Sequence, residues 1–289
     1  MGTSQSSGGP GSGVPMVPSW TPDPPAADPP GGAPPAGDDD APPGEESGEA
    51  PTAPAAAPPR PVPVAPAARF VGARRSLGEF ARTGDARDLR RSLGHYVRSG
   101  YGGSPTATQR FGGTAATAGA LSGALAGVAA GQQAAPGSAL DPALLAGRSV
   151  NEVMDAVVEA VRPIDGTQDA EAERAAIRDA LSELLTRYPE ADLLNLDPEQ
   201  RGFAIERFTA IDVFRRFELD LGKTIVEKAP SAATALARLK QARDYVKQTV
   251  AAAFRKLRDA GRMLTAGRIG RVVHDALKET FEVFEGYAE

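Results

Sequence analysis

The chain has 289 residues, with 26 prolines, 32 glycines and no cysteine. Its formal charge of -5 hides three zones: -7 over residues 1–68, +6 over 69–135 and -4 over the remainder. Without cysteine there is no disulfide, thiolate nucleophile, zinc finger or cysteine-held iron–sulfur cluster. With only His95 and His274 as imidazoles, any metal site has to be built mainly from carboxylates.

Residues 1–20, MGTSQSSGGPGSGVPMVPSW, have neither the basic flank nor the apolar core of a signal peptide, so a cytoplasmic protein is expected. Small Gly2 favours removal of Met1, which would expose a glycine amine at a tip of small residues suited to a narrow cleft. MGTSQS also has the Gly-x-x-x-Ser form of a myristoylation signal. A single acyl chain binds membrane only marginally, however, and the residues that follow are neither basic nor amphipathic, so no membrane partner is expected. Val14, Met16, Val17 and Trp20, the only tryptophan, supply the apolar grip that the tip itself lacks. This makes residues 1–20 a flexible partner-binding tip. Residues 21–68 are a low-complexity run of Pro, Ala and acidic residues that cannot bury enough surface to offset ordering entropy. They are expected to be a disordered spacer, either inert or in contact with the basic zone that follows.

Residues 69–135 form an Arg-rich module followed by a small-residue helix. RFVGARRSLGEFARTGDARDLRRSLGHYVRSGYGG reads as two short helices broken at Gly84. Phe70, Leu77 and Phe80, with Val71 beside them, anchor the first. Asp85 caps the second, Leu89, Leu93, Tyr96 and Val97 make its apolar stripe, and Gly100 ends it. Arg74, Arg75, Arg90 and Arg91 stand among these anchors, and the whole zone carries nine arginines against three acids. That excess suits nucleic acid, a phosphorylated ligand or an acidic protein, although no groove-reading motif accompanies it. His95, alone among arginines, reads as a surface or packing residue.

The uncharged stretch between Arg110 and Asp141 is mostly Ala and Gly, with Gly119, Gly123, Gly127 and Gly131 recurring every four residues. It admits a closely packed or partner-binding helix, a flexible linker, or a weakly apolar membrane span.

Residues 136–289 read as an all-α helical bundle. Ser149 and Glu152 form a capping box, and Pro163 stops the helix they begin. Ile177, Leu181, Leu184, Leu185 and Tyr188 line one side of the next helix. Asp197 caps a third, with Pro198 at its first turn, where the missing N–H costs nothing. Phe208, Ile211, Phe214, Phe217, Leu221 and Ile225 continue that helix's buried stripe. A fourth uses Leu236, Leu239, Val246, Val250 and Leu257, and a fifth Ile269, Val273, Leu277, Phe281 and Phe284. Each stripe must bury itself against another, which gives a bundle.

No convergent catalytic set appears in this sequence. The run from Gly8 to Gly13 has no lysine, and the Gly-Lys-Thr at 222–224 lies inside a helical pattern rather than after a strand. Glu206, Asp212 and Asp220 share one helix at spacings of six and eight, which favours salt bridges to Arg207, Arg215 and Arg216 over a metal site. A non-enzymatic protein with neither cofactor nor metal is expected, acting as an adaptor or a protein substrate.

The tip, the arginine-rich stretch and DALSELLTRYPEADLLNLDPEQRGFAIERFTAIDVFRRFELDLG together resemble the B component of the Qat anti-phage defence systems (QatB). The resemblance covers the tip and about residues 69–260, and none of the three stretches has a chemical signature of its own. It implies a non-enzymatic partner of an ATPase, a QueC-like enzyme and a TatD-like nuclease. It further implies that the QueC-like enzyme attaches a deazaguanine group to the Gly2 amine, with Thr3 and Ser4 in the enzyme cleft. The alternative is a nucleic-acid-binding or scaffold subunit that docks the ATPase and nuclease without being modified.

Overall fold

The computed structural model describes residues 68–131, 137–262 and 267–288. Among them every regular element is helical: α1 (Val71–Thr83), α2 (Ala86–His95), α3 (Ser104–Arg110), α4 (Gly112–Ala129), α5 (Pro142–Leu145), α6 (Val150–Val161), α7 (Gln168–Arg187), α8 (Pro198–Lys228), α9 (Ala232–Asp259) and α10 (Ile269–Glu285). A single π-helical segment, Tyr96–Tyr101, joins α2 to α3. The fold is the all-α bundle expected from the sequence.

Local chemistry sets the ends of these helices. Gly84, at φ 79°, closes α1 in the left-handed conformation that costs glycine least, and the Asp85 carboxylate accepts from the Arg87 N–H to open α2. The expected capping box of Ser149 with Glu152 forms at α6, and Asp197, expected as a cap, makes a further box with Gln200 at α8.

Helix α8 is the axis of the molecule and packs against α1, α4, α7 and α9. From Phe208 to Phe214 all seven consecutive residues are buried, so this stretch faces protein on every side and has no solvent face. Helix α10 packs against α2, α3, α4 and α9, closing the other half of the core. Buried residues from Phe70 to Leu125 and from Leu140 to Phe284 belong to one apolar cluster, to which the arginine-bearing helices contribute Leu77, Phe80, Leu93 and Val97.

Several expectations need correction. Leu236 is 69% exposed, because the stripe of α9 runs through Ala235, Ala242, Val246, Val250 and Ala253, about 100° around the helix. Leu239 and Leu257 are half-buried. The anchors Phe70, Leu77 and Phe80 are buried, while Val71 beside them is exposed. The chain does not stop at Gly100 but continues through the π-helical segment to Gly102, at φ 84°.

The glycine stripe of α4 is not its packed face. A Cβ added at Gly119 or Gly123 would meet nothing within 4 Å, whereas Ala118, Leu121 and Leu125 are buried. A four-residue repeat drifts by about 40° per step on an α-helix, so it cannot hold one contact line. Alanine supplies the close approach instead. No helix among the described residues is long and apolar enough to cross a membrane.

Candidate partner-binding surface

The arginine face is built on the antiparallel pair α1 and α2. Ser92 Oγ donates to the Ala73 carbonyl at 2.9 Å, and a Cβ on Gly72 would sit 3.2 Å from the His95 ring. His95 is therefore a packing residue at this crossing. Arg74 and Arg91 stand one position from the Ser92–Ala73 tie on either helix and are exposed, as are Arg75 and Arg90.

Arg82 and Arg87 are paired with Glu79 and Asp85. Arg74, Arg75, Arg90 and Arg91 have no carboxylate partner among the described residues. The Arg74 guanidinium lies 6.0 Å from the Phe70 ring centre and that of Arg90 lies 5.8 Å from Tyr245. Four exposed guanidinium groups are thus left without a counter-charge among the described residues, an arrangement that attracts an anionic surface. Gly2, Thr3, Ser4, Val14, Met16, Val17 and Trp20 lie outside the described residues.

Two polar clusters lie within the bundle, the first beside the start of α1 and the end of α2, the second between α4, α7 and α8. In the first, Tyr96 and Tyr101 both donate to Asp220 Oδ2, at 2.9 and 3.1 Å, and Arg69 stands 3.9 Å from Oδ1. Phe70 stacks on Tyr96 at 5.4 Å and carries Arg69 4.4 Å over its ring. The π-helical segment brings Tyr96 and Tyr101 to one acceptor, and Gly100 makes room, since a Cβ there would lie 2.4 Å from Phe70 Cε1. Burial pushes the Tyr101 hydroxyl up to about 12 and that of Tyr96 well above its ordinary value, so both remain donors.

In the second cluster, Thr114 donates to Asp212 at 2.6 Å and Thr117 to Glu173 at 2.9 Å. Arg216 reaches Glu173 at 2.8 Å and Asp212 at 3.3 Å. Burial raises the Asp212 carboxyl above its usual range against the pull of Arg216 and Thr114. The expected Asp212–Arg216 pair is therefore present. Arg207 and Arg215, in contrast, turn to Glu183 and Asp179 on α7, Glu206 pairs with Arg258, and Asp220 serves the tyrosines. Of Glu206, Asp212 and Asp220, only Asp212 pairs with a residue of its own helix. Among the described residues no group of three or more His, Cys, Asp or Glu side chains is placed to hold a metal ion.

A family model described as "Qat anti-phage system associated protein QatB" matches residues 102–284, more than half of the chain. The chain belongs to this family. Its matched segment runs from the end of the π-helical turn through nearly all of α10, and the four unpaired arginines lie just N-terminal of it. No curated protein and no solved structure matches the chain.

Proposed function

We propose that this QatB-family chain is a non-enzymatic component of its defence system that presents its N-terminus to a QueC-like enzyme, with Gly2 the acceptor of a deazaguanine group. Thr3 and Ser4 lie in the enzyme cleft, and Val14, Met16, Val17 and Trp20 grip the enzyme beyond it. Membership of the QatB family carries the assignment to anti-phage defence. Support for the substrate role comes from the residues of the tip: a small second residue that permits methionine removal, and an apolar quartet ending in Trp20, a residue type that often dominates binding energy.

Intact-mass spectrometry of the chain co-expressed with and without the QueC-like enzyme tests this. An adduct that maps to the Gly2 amine and disappears when Gly2 is replaced by a bulky residue is the expected result. Loss of methionine alone in both samples, with the enzyme active, overturns it.

The unpaired Arg74, Arg75, Arg90 and Arg91 serve to dock an acidic face of a partner protein, the QueC-like enzyme, the ATPase or the TatD-like nuclease. The same lack of counter-charge favours a second reading, in which these arginines hold nucleic acid. Binding to double-stranded DNA across a salt series separates the two, because contact with several phosphates weakens steeply as salt rises. Protein docking predicts no DNA binding at low salt and retained binding to a partner protein.

A further inference from the structure

A cleft of about 750 Å³ opens where α7 and α8 meet the end of α9, on helices that carry none of the four arginines discussed above. Its size falls within the usual range for small-molecule sites. Glu206 lines it with a side chain that is only 9% exposed; Arg258 stands 3.4 Å from one carboxylate oxygen, and neither oxygen accepts a hydrogen bond from the described residues. Beside it the Arg207 guanidinium lies 4.8 Å over the Phe203 ring, with its buried Nε 3.6 Å from Glu183, an ion pair too long for a hydrogen bond, and Glu183 and Glu199 share the wall. Tyr188 meets Phe203 edge to face at 5.7 Å, and exposed Arg187, at the rim, makes no ion pair among the described residues.

Each feature restricts the ligand. A buried carboxylate only accepts, so it requires a ligand edge made of donors. A cationic ligand is disfavoured, because Arg258, Arg207 and Arg255 already surround that carboxylate. A neutral edge with adjacent N–H groups fits. Stacked guanidinium and aromatic planes accept a flat ring, and exposed Arg187 favours an anionic group on the same molecule. We propose that this cleft binds a purine nucleotide of the guanine type, its N1–H and 2-amino group donating to Glu206, its ring lying on the Arg207–Phe203 stack and its phosphates directed toward Arg187 at the rim. Adenine fits poorly, because its N1 would present a lone pair to the carboxylate. Burial raises the Glu206 carboxyl above its usual range against its arginine neighbours, as expected of a group short of donors.

The test is calorimetric titration of the full chain with GTP, ITP and ATP, together with the Glu206→Gln and Arg187→Ala variants. The proposal does not depend on the fate of Gly2. GTP is expected to bind saturably. ITP, which lacks the 2-amino donor, is expected to bind at least about ten-fold more weakly, the loss of one hydrogen bond to a charged acceptor. ATP is expected to bind more weakly still. Glu206→Gln, which is isosteric, should weaken GTP by about ten-fold or more without changing the melting temperature of the free protein by more than a few degrees, while Arg187→Ala should weaken GTP more than guanosine. Absence of saturable GTP binding up to about 1 mM, an affinity too weak to count as a site, overturns the proposal. So does equal binding of GTP and ATP, or GTP binding that Glu206→Gln leaves unchanged.

Discussion

Replacing Asp220 by Ala tests the reasoning about the polar cluster beside α1 and α2 most directly. Asp220 Oδ2 accepts from two tyrosine hydroxyls, and Tyr96 is only 1% exposed. Without the carboxylate the Tyr96 hydroxyl keeps only the Tyr101 oxygen, 3.3 Å away, as a partner. A hydrogen bond to a charged group contributes about 1.5–3 kcal/mol, and a buried hydroxyl left short of partners costs about 1–3 kcal/mol. Tyr101 is partly exposed and recovers water, so its loss is smaller. The expected cost of Asp220→Ala is about 2–4 kcal/mol, or roughly 4–16 °C in melting temperature for a domain of this size. Asp220→Asn, which keeps an acceptor oxygen, should cost about 1 kcal/mol.

Urea unfolding followed by circular dichroism measures both. The decisive arm is the double variant Tyr96→Phe/Asp220→Ala: Phe removes the orphaned hydroxyl, so the pair should be less destabilised than the sum of the singles by about 1–2 kcal/mol. Additivity within about 0.5 kcal/mol would refute the idea that the tyrosine and the carboxylate act as one unit. The alkaline limb gives an independent check. Folded Tyr101 holds its proton up to about 12, above the ordinary 10, so the unfolded chain releases protons first as pH rises. The stability it contributes is complete below pH 10 and is lost as pH climbs toward about 12.

Three further outcomes follow from other contacts. Gly94→Ala places a Cβ 2.4 Å from the Ala288 backbone nitrogen and should cost about 1–3 kcal/mol by chemical denaturation, a cost relieved when residues 287–289 are removed. Ser149→Ala breaks the capping box of α6 and should cost about 1 kcal/mol, read as faster amide exchange in its first turn. Hydrogen bonds from the Ser149 backbone N–H and hydroxyl hold the Glu152 carboxyl at about 2, below the ordinary 4.5, so this cap is intact above pH 4.5 and is lost as pH falls toward about 2. Changing Arg90 and Arg91 to Glu should abolish pull-down of an acidic partner, while changing them to Ala only weakens it, and neither should alter the melting temperature by more than about 2 °C, because both side chains are exposed.

Helices with an exposed face were legible in the sequence, because a solvent face imposes a period. Ile269, Val273, Leu277, Phe281 and Phe284 of α10 are all buried as that period requires. Periodicity faded where a helix has no solvent face. From Phe208 to Phe214 on α8 even Thr209 and Asp212 are fully buried, Thr209 by donating back to the Ile205 carbonyl and Asp212 by meeting Thr114 and Arg216.

Partner choice among charges was the least legible feature. Arg215, Arg216 and Asp212 are near neighbours in sequence, yet Arg215 leaves its own helix for Asp179 at 2.6 Å while Arg216 bridges Asp212 on its own helix and Glu173 on α7. A turn of 100° separates those two arginines on α8; one points to the rim of α7 and the other into the gap that Thr114 and Thr117 of α4 line. The sequence does hold a trace of this gap. Threonines amid the Ala and Gly of α4 are ill suited to an apolar contact and need acceptors when buried, and the acids that serve them lie 98 and 56 residues away. The arginine surface differs in kind. Its four exposed guanidinium groups compete with nothing in the fold, so their excess over nearby acids was visible from composition alone, and whatever anion they meet must come from elsewhere than the described residues.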